Sequence, residues 1–311
     1  MKKFIAIALA LTTSLSLLAC QGNGSAAAVN DSTEAVETKE EETKEASEEA
    51  VKEESQEAET ESKEETEAAK EEGSENAGKF IMGIDPEYPP FSYIGDDGEY
   101  TGFDVEVCKA VCEKLGYDFD VFEVNWDEKL IQLDAGECDC IWSGMTIYDT
   151  MKEAGYVISE PYFENVQVMM VKEDSGINST KDLAGKYVAV QLGTSGAALL
   201  EDELKDLASS FGDLVTCDSF LKCFTELGGG AVDAVFVDKP VAVDYMAEHE
   251  GYKLLEEDLG SEQYGIAFRS DDKELCSSIE GALDEMVADG SYAAIADKYP
   301  DLVKNLVYLN K

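Results

Sequence analysis

From Lys79 onward, short apolar runs alternate with segments of helical period, and this alternation constrains the fold more than any other feature of the chain. The runs predict strands, and the apolar spacing between them predicts helices. The first predicted strands cover 79–84, 117–124 and 140–142, and the first predicted helices cover 102–115 and 126–133. Strands that alternate with helices form parallel sheets covered by helices, so the sequence predicts an α/β fold.

A second series of strands and helices follows a strand over 165–171, which we expect to leave the first domain. Its strands are predicted over 186–191, 214–217 and 232–237, and its helices from 197, over 220–227 and over 240–247. A strand over 263–269 and helices over 273–288 and 292–298 complete the chain. With 311 residues, the chain is long enough for about two domains.

Two strand ends carry small and polar residues of the kind that hold ligands. The buried strand over 140–142 breaks at Ser143-Gly144, and the strand over 186–191 is followed by Gly193-Thr194-Ser195-Gly196. Free backbone N–H groups and hydroxyls remain at such ends, and ligands of open α/β sheets bind there. We expect the two ends to form the halves of a small-molecule clamp.

The N-terminus predicts export. Lys2 and Lys3 precede an apolar stretch over 4–18 that is too short to span a membrane. The residues Leu-Leu-Ala-Cys that end at Cys20 resemble a bacterial lipobox, which implies a mature chain that begins at Cys20 with a lipid on its sulfur. An ordinary cleaved signal peptide is the alternative. We expect the protein at the extracellular face of the bacterial cell membrane, attached only through this anchor.

Charge and composition limit the partners. The net charge is −44, with 24 basic against 68 acidic residues, so neither nucleic acid nor an anionic membrane surface is a predicted partner. Residues 31–72 are a low-complexity acidic tract without aromatic residues, and we expect 21–78 to be a disordered acidic linker. Seven cysteines remain beyond Cys20; buried free thiols are the expected state, and no metal or cofactor is predicted.

Eight short motifs follow one another in a familiar order. They are Gly-Ile-Asp-x-x-Tyr-x-Pro-Phe, Gly-Phe-Asp-Val-Glu-Val, Gly-Met-Thr-Ile, Ser-Glu-Pro-Tyr, Asp-Leu-Ala-Gly-Lys, Gln-Leu-Gly-Thr-Ser, Val-Asp-Ala-Val-Phe-Val-Asp and Tyr-Gly-Ile-Ala. Over residues 79–300 the chain resembles the family 3 extracellular solute-binding proteins, which capture polar amino acids for ABC importers.

The resemblance implies a periplasmic-binding-protein-like type II fold, with two α/β lobes joined by two crossover strands and the ligand between them. Lobe 1 would comprise 79–166 plus 266–311, and lobe 2 would comprise 167–265. The implied function is capture of a small polar solute, with an amino acid as the first expectation, by lobe closure. The implied partners are an ABC permease and ATPase, and we expect a monomer with no catalytic residues.

Candidate ligand-binding residues follow from the motifs and from their chemistry. Gly193-Thr194-Ser195 opens a helix and could bind a carboxylate, although Thr194 or Ser195 could instead cap that helix. Asp238 ends a strand and could accept a hydrogen bond from an ammonium group, or could cap the next helix. The remaining candidates are Asp85, Tyr88, Phe91, Trp126, Ser143, Gly144, Met145 and Thr146; the alternative for Asp85 is capping of a turn, and the alternative for Phe91 is core packing.

The sequence departs from the family at one important position. The family places an arginine five residues after the first threonine of Thr-Ile-Thr-x-x-Arg to grip a ligand carboxylate, but here Met151 follows at that spacing. Allowing one extra residue in the loop, Lys152 takes the position; the sole arginine, Arg269, is expected away from the cleft. Either Lys152 substitutes, or the ligand lacks an ordinary α-carboxylate.

Two other functions share this fold. Some relatives are dehydratases, for which Glu160 or Glu173 with Lys152 could supply an acid and a cation. An extracellular sensor for another solute would keep the clamp without transport.

Overall fold

The structure is a computed structural model that describes residues 78–310. The predicted signal peptide, Cys20 and all of the predicted linker except Gly78 lie outside the described residues.

The described residues form fourteen strands and nine α-helices. The strands are β1 (Gly78–Ile84), β2 (Glu87–Tyr88), β3 (Ser92–Ile94), β4 (Tyr100–Thr101), β5 (Tyr117–Glu123), β6 (Cys140–Ile141), β7 (Val157–Ile158), β8 (Phe163–Lys172), β9 (Tyr187–Gln191), β10 (Asp213–Cys217), β11 (Ala234–Asp238), β12 (Tyr252–Leu254), β13 (Ser261–Tyr264) and β14 (Ala267–Phe268). The helices are α1 (Phe103–Leu115), α2 (Lys129–Asp134), α3 (Asp149–Glu153), α4 (Ser195–Glu201), α5 (Lys205–Ala208), α6 (Phe220–Gly229), α7 (Lys239–Glu248), α8 (Lys273–Asp289) and α9 (Ser291–Ala296).

The first sheet has the strand order β5-β1-β6-β14-β7. Strand β1 runs parallel to both β5 and β6, whereas β14 runs antiparallel to β6 and β7. Apolar side chains alternate along β1, and Phe80, Met82 and Ile84 are buried in one core cluster with Val107 and Val111 of α1. This sheet and its helices form lobe 1.

The second sheet has the order β10-β9-β11-β8-β12 and forms lobe 2. Strands β9, β10 and β11 run parallel, and β8 is antiparallel to β11 and β12. All five residues of β11 are buried, as expected for a central strand covered on both faces. The α/β prediction is confirmed, although both sheets are mixed rather than purely parallel.

Two antiparallel strands cross between the lobes. The start of β8 pairs with β13, and the rest of β8 belongs to the second sheet. The prediction of one strand over 263–269 was wrong, because β13 and β14 are separate strands in different sheets. They are separated at Gly265, where an added Cβ would lie 2.8 Å from the Ile147 side chain, so a larger residue there would require Ile147 to move.

The segment between β1 and α1 contains three prolines, and no strand was predicted there. It forms a three-stranded sheet of order β2-β3-β4, which lies between β1 and α1 in the chain. The helix predicted from 197 begins earlier, at Ser195.

All seven cysteines after Cys20 lie within the described residues, where they are buried and unpaired, as expected. No helix in the described part of the chain is long and apolar enough to cross a membrane.

Candidate functional site

A small cavity between the lobes is lined by residues from both of them, and its volume is about 10 Å³. The lining residues are Asp85, Tyr88, Trp126, Ser143, Gly144, Thr146, Gln191, Thr194, Ser195, Phe220 and Asp238. A space of this size holds about one water molecule, so a solute enters only if the lobes separate. The arrangement places strand ends of both sheets at one site, as in other open α/β sheets.

The lobe 1 wall is held by hydrogen bonds behind its surface. Ser143 Oγ accepts from the Asp85 backbone N–H at 3.1 Å and lies 2.6 Å from Ser92 Oγ. Gly144 has a φ of +58°, and an added Cβ would lie 2.5 Å from the Tyr88 ring, so only glycine fits there.

Asp104 supports this wall from inside lobe 1. Its Oδ2 accepts from Gly144 N–H at 2.9 Å and from the Tyr162 hydroxyl at 2.6 Å. Asp104 is fully buried, and burial raises the pKa of its carboxyl to about 7, against the opposing effect of these hydrogen bonds. The position of Gly144 therefore depends on a buried carboxyl that does not line the cavity.

The lobe 2 wall contains the start of α4. Thr194 is the N-cap: its Oγ1 accepts from Ala197 N–H at 3.2 Å and donates to the Gln191 carbonyl at 2.7 Å. Capping and cavity lining are thus combined in one residue, and the two interpretations of Thr194 do not exclude each other.

Asp238 makes no capping bond to α7 and lies instead in a buried polar network. Its Oδ1 accepts from Asn165 Nδ2 at 2.5 Å, from Gln167 Nε2 at 2.6 Å and from the Tyr264 hydroxyl at 2.9 Å. The same two amide nitrogens donate to Glu262 Oε1 at 2.6 and 2.8 Å. Two carboxylates therefore share two amide donors.

The surroundings of Asp238 also change its titration. Burial raises the pKa of the Asp238 carboxyl to about 8, and the negative charge of Glu262 is the next largest cause of this rise. A cation that binds here would compensate the charge of both carboxylates.

Several side-chain hydrogen bonds around the cavity link the two lobes or join lobe 1 to the crossover strand β13, among them one between the Tyr88 and Tyr264 hydroxyls at 2.9 Å. Gln191 Nε2 donates to Asp85 Oδ2 at 2.7 Å, Lys129 Nζ donates to the Gly193 carbonyl at 2.7 Å, and Thr146 Oγ1 donates to Glu262 Oε2 at 3.0 Å. The Lys129 side chain also lies 4.7 Å from the Trp126 ring centre. Burial lowers the pKa of Lys129 to about 8.

Nine of the twelve candidate residues line the cavity, and three do not. Phe91 is fully buried in the largest core cluster, and Met145 is buried in a separate core cluster of lobe 1. Lys152 is exposed on α3 and lines a different, open groove near Ser261. Because its side chain points to that groove, Lys152 does not supply the arginine's role in this arrangement.

Several residues of the site were missed by sequence reasoning. Gln191 and Phe220 line the cavity, and Lys129 bridges the lobes beside it. Gln191 ends β9 directly before the glycine-rich turn, and this position could have predicted that it lines the cavity. No pattern in the sequence predicts that Phe220 or Lys129 belongs to the site. No cluster of His, Cys, Asp or Glu in residues 78–310 is suited to a metal ion.

Comparison with known proteins gives a consistent result. Residues 80–301 match the family described as bacterial extracellular solute-binding proteins, family 3. The L-cystine-binding protein TcyJ of Escherichia coli K12 is 31% identical over 228 residues, which cover 72% of this chain and 84% of TcyJ.

Solved structures agree with this. An ancestral arginine-binding protein bound to arginine is 36% identical, with a TM-score of 0.65 over 72% of this chain and 98% of that one. The ancestral amino acid-binding protein AncCDT-1, a precursor of cyclohexadienyl dehydratase, is 32% identical, with a TM-score of 0.64 over 71% of this chain and 94% of that one.

Proposed function

Because the chain belongs to the bacterial extracellular solute-binding proteins, family 3, we propose that it is the solute-capturing subunit of an ABC importer. The two lobes close on a small polar solute and deliver it to the permease, while the ATPase drives transport. The amino acids that its relatives bind set the first expectation for the solute, namely a small compound with an ammonium group.

One observation carries this proposal: polar strand ends of both lobes converge on one cavity around the buried carboxylate of Asp238. Asp238 is only 4% exposed and makes no ion pair with another described residue, so an ammonium group is the natural partner for it. The hydroxyl-bearing residues Ser143, Thr146 and Ser195 line the same cavity and offer further polar groups to a solute.

The cellular placement is part of the same proposal. The chain is exported by its signal peptide and attached at the extracellular face through lipid on Cys20, with the acidic segment over 21–78 as a linker. Lobe 1 comprises 79–166 plus 266–311 and lobe 2 comprises 167–265. The protein acts as a monomer and does not bind nucleic acid.

The family is one of binding proteins, and catalysis is not part of the proposal. A dehydratase would need an acid and a cation at the cavity. Glu160, Glu173 and Lys152 are all exposed, and none of them lines it. The sensor alternative uses the same clamp and differs only in whether transport follows.

Isothermal titration calorimetry of the lipid-free protein against amino acids and amines tests the proposal. We expect at least one solute to bind, and a solute at a thousand times its Kd to stabilise the protein by about 4 kcal/mol in a melting experiment. The variant Asp238→Asn should weaken this binding about 100-fold. The exposed Asp118→Asn on β5 is the matched control. If no amino acid, amine or other small polar solute binds, the proposal is wrong.

A further inference from the structure

Carboxylates and amide oxygens without hydrogen-bond partners lie close together in the polar network beside the cavity. Asp85 and Asp238 line the cavity and are 5% and 4% exposed, and Glu262 shares its amide donors with Asp238. The amide oxygens Asn165 Oδ1 and Gln167 Oε1 are also buried, and neither has a hydrogen-bond partner among the described residues. Buried acceptors without donors are costly, so this region is built to receive a group that donates several hydrogen bonds.

For a ligand carboxylate, in contrast, the described residues that line the cavity include no lysine and no arginine. The chain's sole arginine, Arg269, donates to the carbonyls of Leu133 and Cys138 and pairs with Asp272, away from the cavity. Lys152 is exposed on α3, and Lys129 directs its Nζ to the carbonyls of Trp126 and Gly193. The helix α4 has only seven residues and is too short to serve as an anion site by itself.

Tyr148 lies in the segment where the sequence departs from the family's arginine motif. Its side chain is half-buried, and its hydroxyl interacts with the side chains of Ser195 and Thr146. The negative charges of Glu262 and Asp238 act on the same hydroxyl. A carboxylate placed among these groups would be repelled by the negative charges of Glu262 and Asp238.

We propose that the solute captured in this cavity is a dication without a carboxylate, such as an aliphatic diamine or a guanidino-amine. One cationic end binds at Asp85, and the other binds between Asp238 and Glu262. The aromatic side chains of Trp126, Tyr88 and Phe220 line the space between and contact the methylene chain. The inference rests on the proposed function and narrows its solute class.

Matched ligand pairs that differ only by a carboxylate test the inference on the unmodified protein. The pairs are lysine with cadaverine, ornithine with putrescine, and arginine with agmatine, each titrated by calorimetry at pH 8. We expect the carboxylate-free member to bind at least tenfold more tightly in at least one pair. The chain length that binds best then reports the separation of the two carboxylate sites.

The outcomes separate this inference from the proposed function. If the amino acid of every pair binds as tightly as its amine or more tightly, the inference falls and solute capture stands. If only neutral amino acids bind, the diamine inference is likewise wrong and the proposed solute capture still stands. If no solute of any class binds, both fall together.

A variant localises the effect. Glu262→Gln keeps the side-chain shape but removes one charge, and we expect it to weaken diamine binding about tenfold. The control is Glu164→Gln, which changes an exposed residue opposite Gln263 on the paired strand. Equal diamine affinity in the native protein and in Glu262→Gln, with both folded by circular dichroism, would refute the role of Glu262.

Discussion

Asp85 and Asp238 occupy similar places in the two lobes, each at the carboxyl end of a buried strand, but their surroundings differ. Asp85 accepts from Gln191 and from the Glu87 backbone N–H, and the charge of Lys129 favours its ionised form. Asp238 instead faces the carboxylate of Glu262.

Burial raises the pKa of both carboxyls. At Asp85, the hydrogen bonds from Gln191 and from the Glu87 N–H and the charge of Lys129 oppose this rise, although the charge of Glu87 adds to it. At Asp238, the charge of Glu262 adds to the rise. The same residue type at corresponding strand ends therefore has more uncompensated negative charge in lobe 2. We expect the Asp238 end of the cavity to dominate cation recognition.

The largest expected effect comes from neutralising the two carboxylates separately. At pH 8, Asp238→Asn should weaken binding of the best solute by about 100-fold and Asp85→Asn by about tenfold, since a charge-assisted hydrogen bond contributes about 1.5–3 kcal/mol. Calorimetric titration measures both, with Asp118→Asn as the control. Equal losses at the two positions would remove the distinction between the ends of the cavity.

The dependence of stability on pH should sharpen the comparison. Asp238 and Asp104 have folded-state pKa values of about 8 and about 7, above the ordinary value of 3.8, so the native state binds more protons than the unfolded state. Their contribution to stability is complete below about pH 4 and is lost as the pH rises through the folded values. Between about pH 4 and the folded-state pKa, each group lowers the free energy of unfolding by at most about 1.4 kcal/mol per pH unit.

Calorimetric melting of the unliganded protein at pH 5, 6, 7 and 8 measures this dependence. The melting temperature should fall with rising pH, and Asp238→Asn should flatten the slope above pH 7, where Asp104 contributes little. A profile that stays level from pH 5 to 8, or an Asp238→Asn profile as steep as the native one, would contradict the assignment.

The smallest effect is expected at the Asp85 end. Lys129→Met removes a hydrogen bond to the Gly193 carbonyl that joins the lobes, while keeping an apolar stem over Trp126. We expect about tenfold faster solute release, measured by stopped-flow fluorescence, with the exposed Lys109→Met as the control. Unchanged release would mean that this bond does not hold the lobes together.

Much of the architecture was accessible from local patterns. Helix α1 was predicted over 102–115 and spans Phe103–Leu115, because its apolar positions repeat with helical period and Gly116 ends it in a left-handed conformation. The segment 263–269 could not be resolved, because an apolar run does not reveal that its two ends pair with different sheets. The short strands β2, β3 and β4 lack any local period and were missed for that reason.

Site residues could be predicted from the sequence where they end a strand, but not where they come from a distant segment of the chain. Ser143, Thr194 and Asp238 follow or end predicted strands, so their convergence could be expected. Glu262 and Gln167 become neighbours of Asp238 only because β13 and β11 both pair with β8. Counting residues along the motif placed Lys152 at the position of the family's arginine. In the structure Lys152 lies on α3 and is exposed to solvent.

The sequence by itself determined the alternation of strands and helices, the family, and the identity of most residues at the cavity, because these depend on spacing along the chain. The tertiary structure alone decided which charges meet there. Electrostatic energy depends on distance in space and on burial, so the pairing of Asp238 with Glu262, and the absence of a cation to balance it at the cavity wall that the structure describes, emerge only when the crossover strands bring distant segments together.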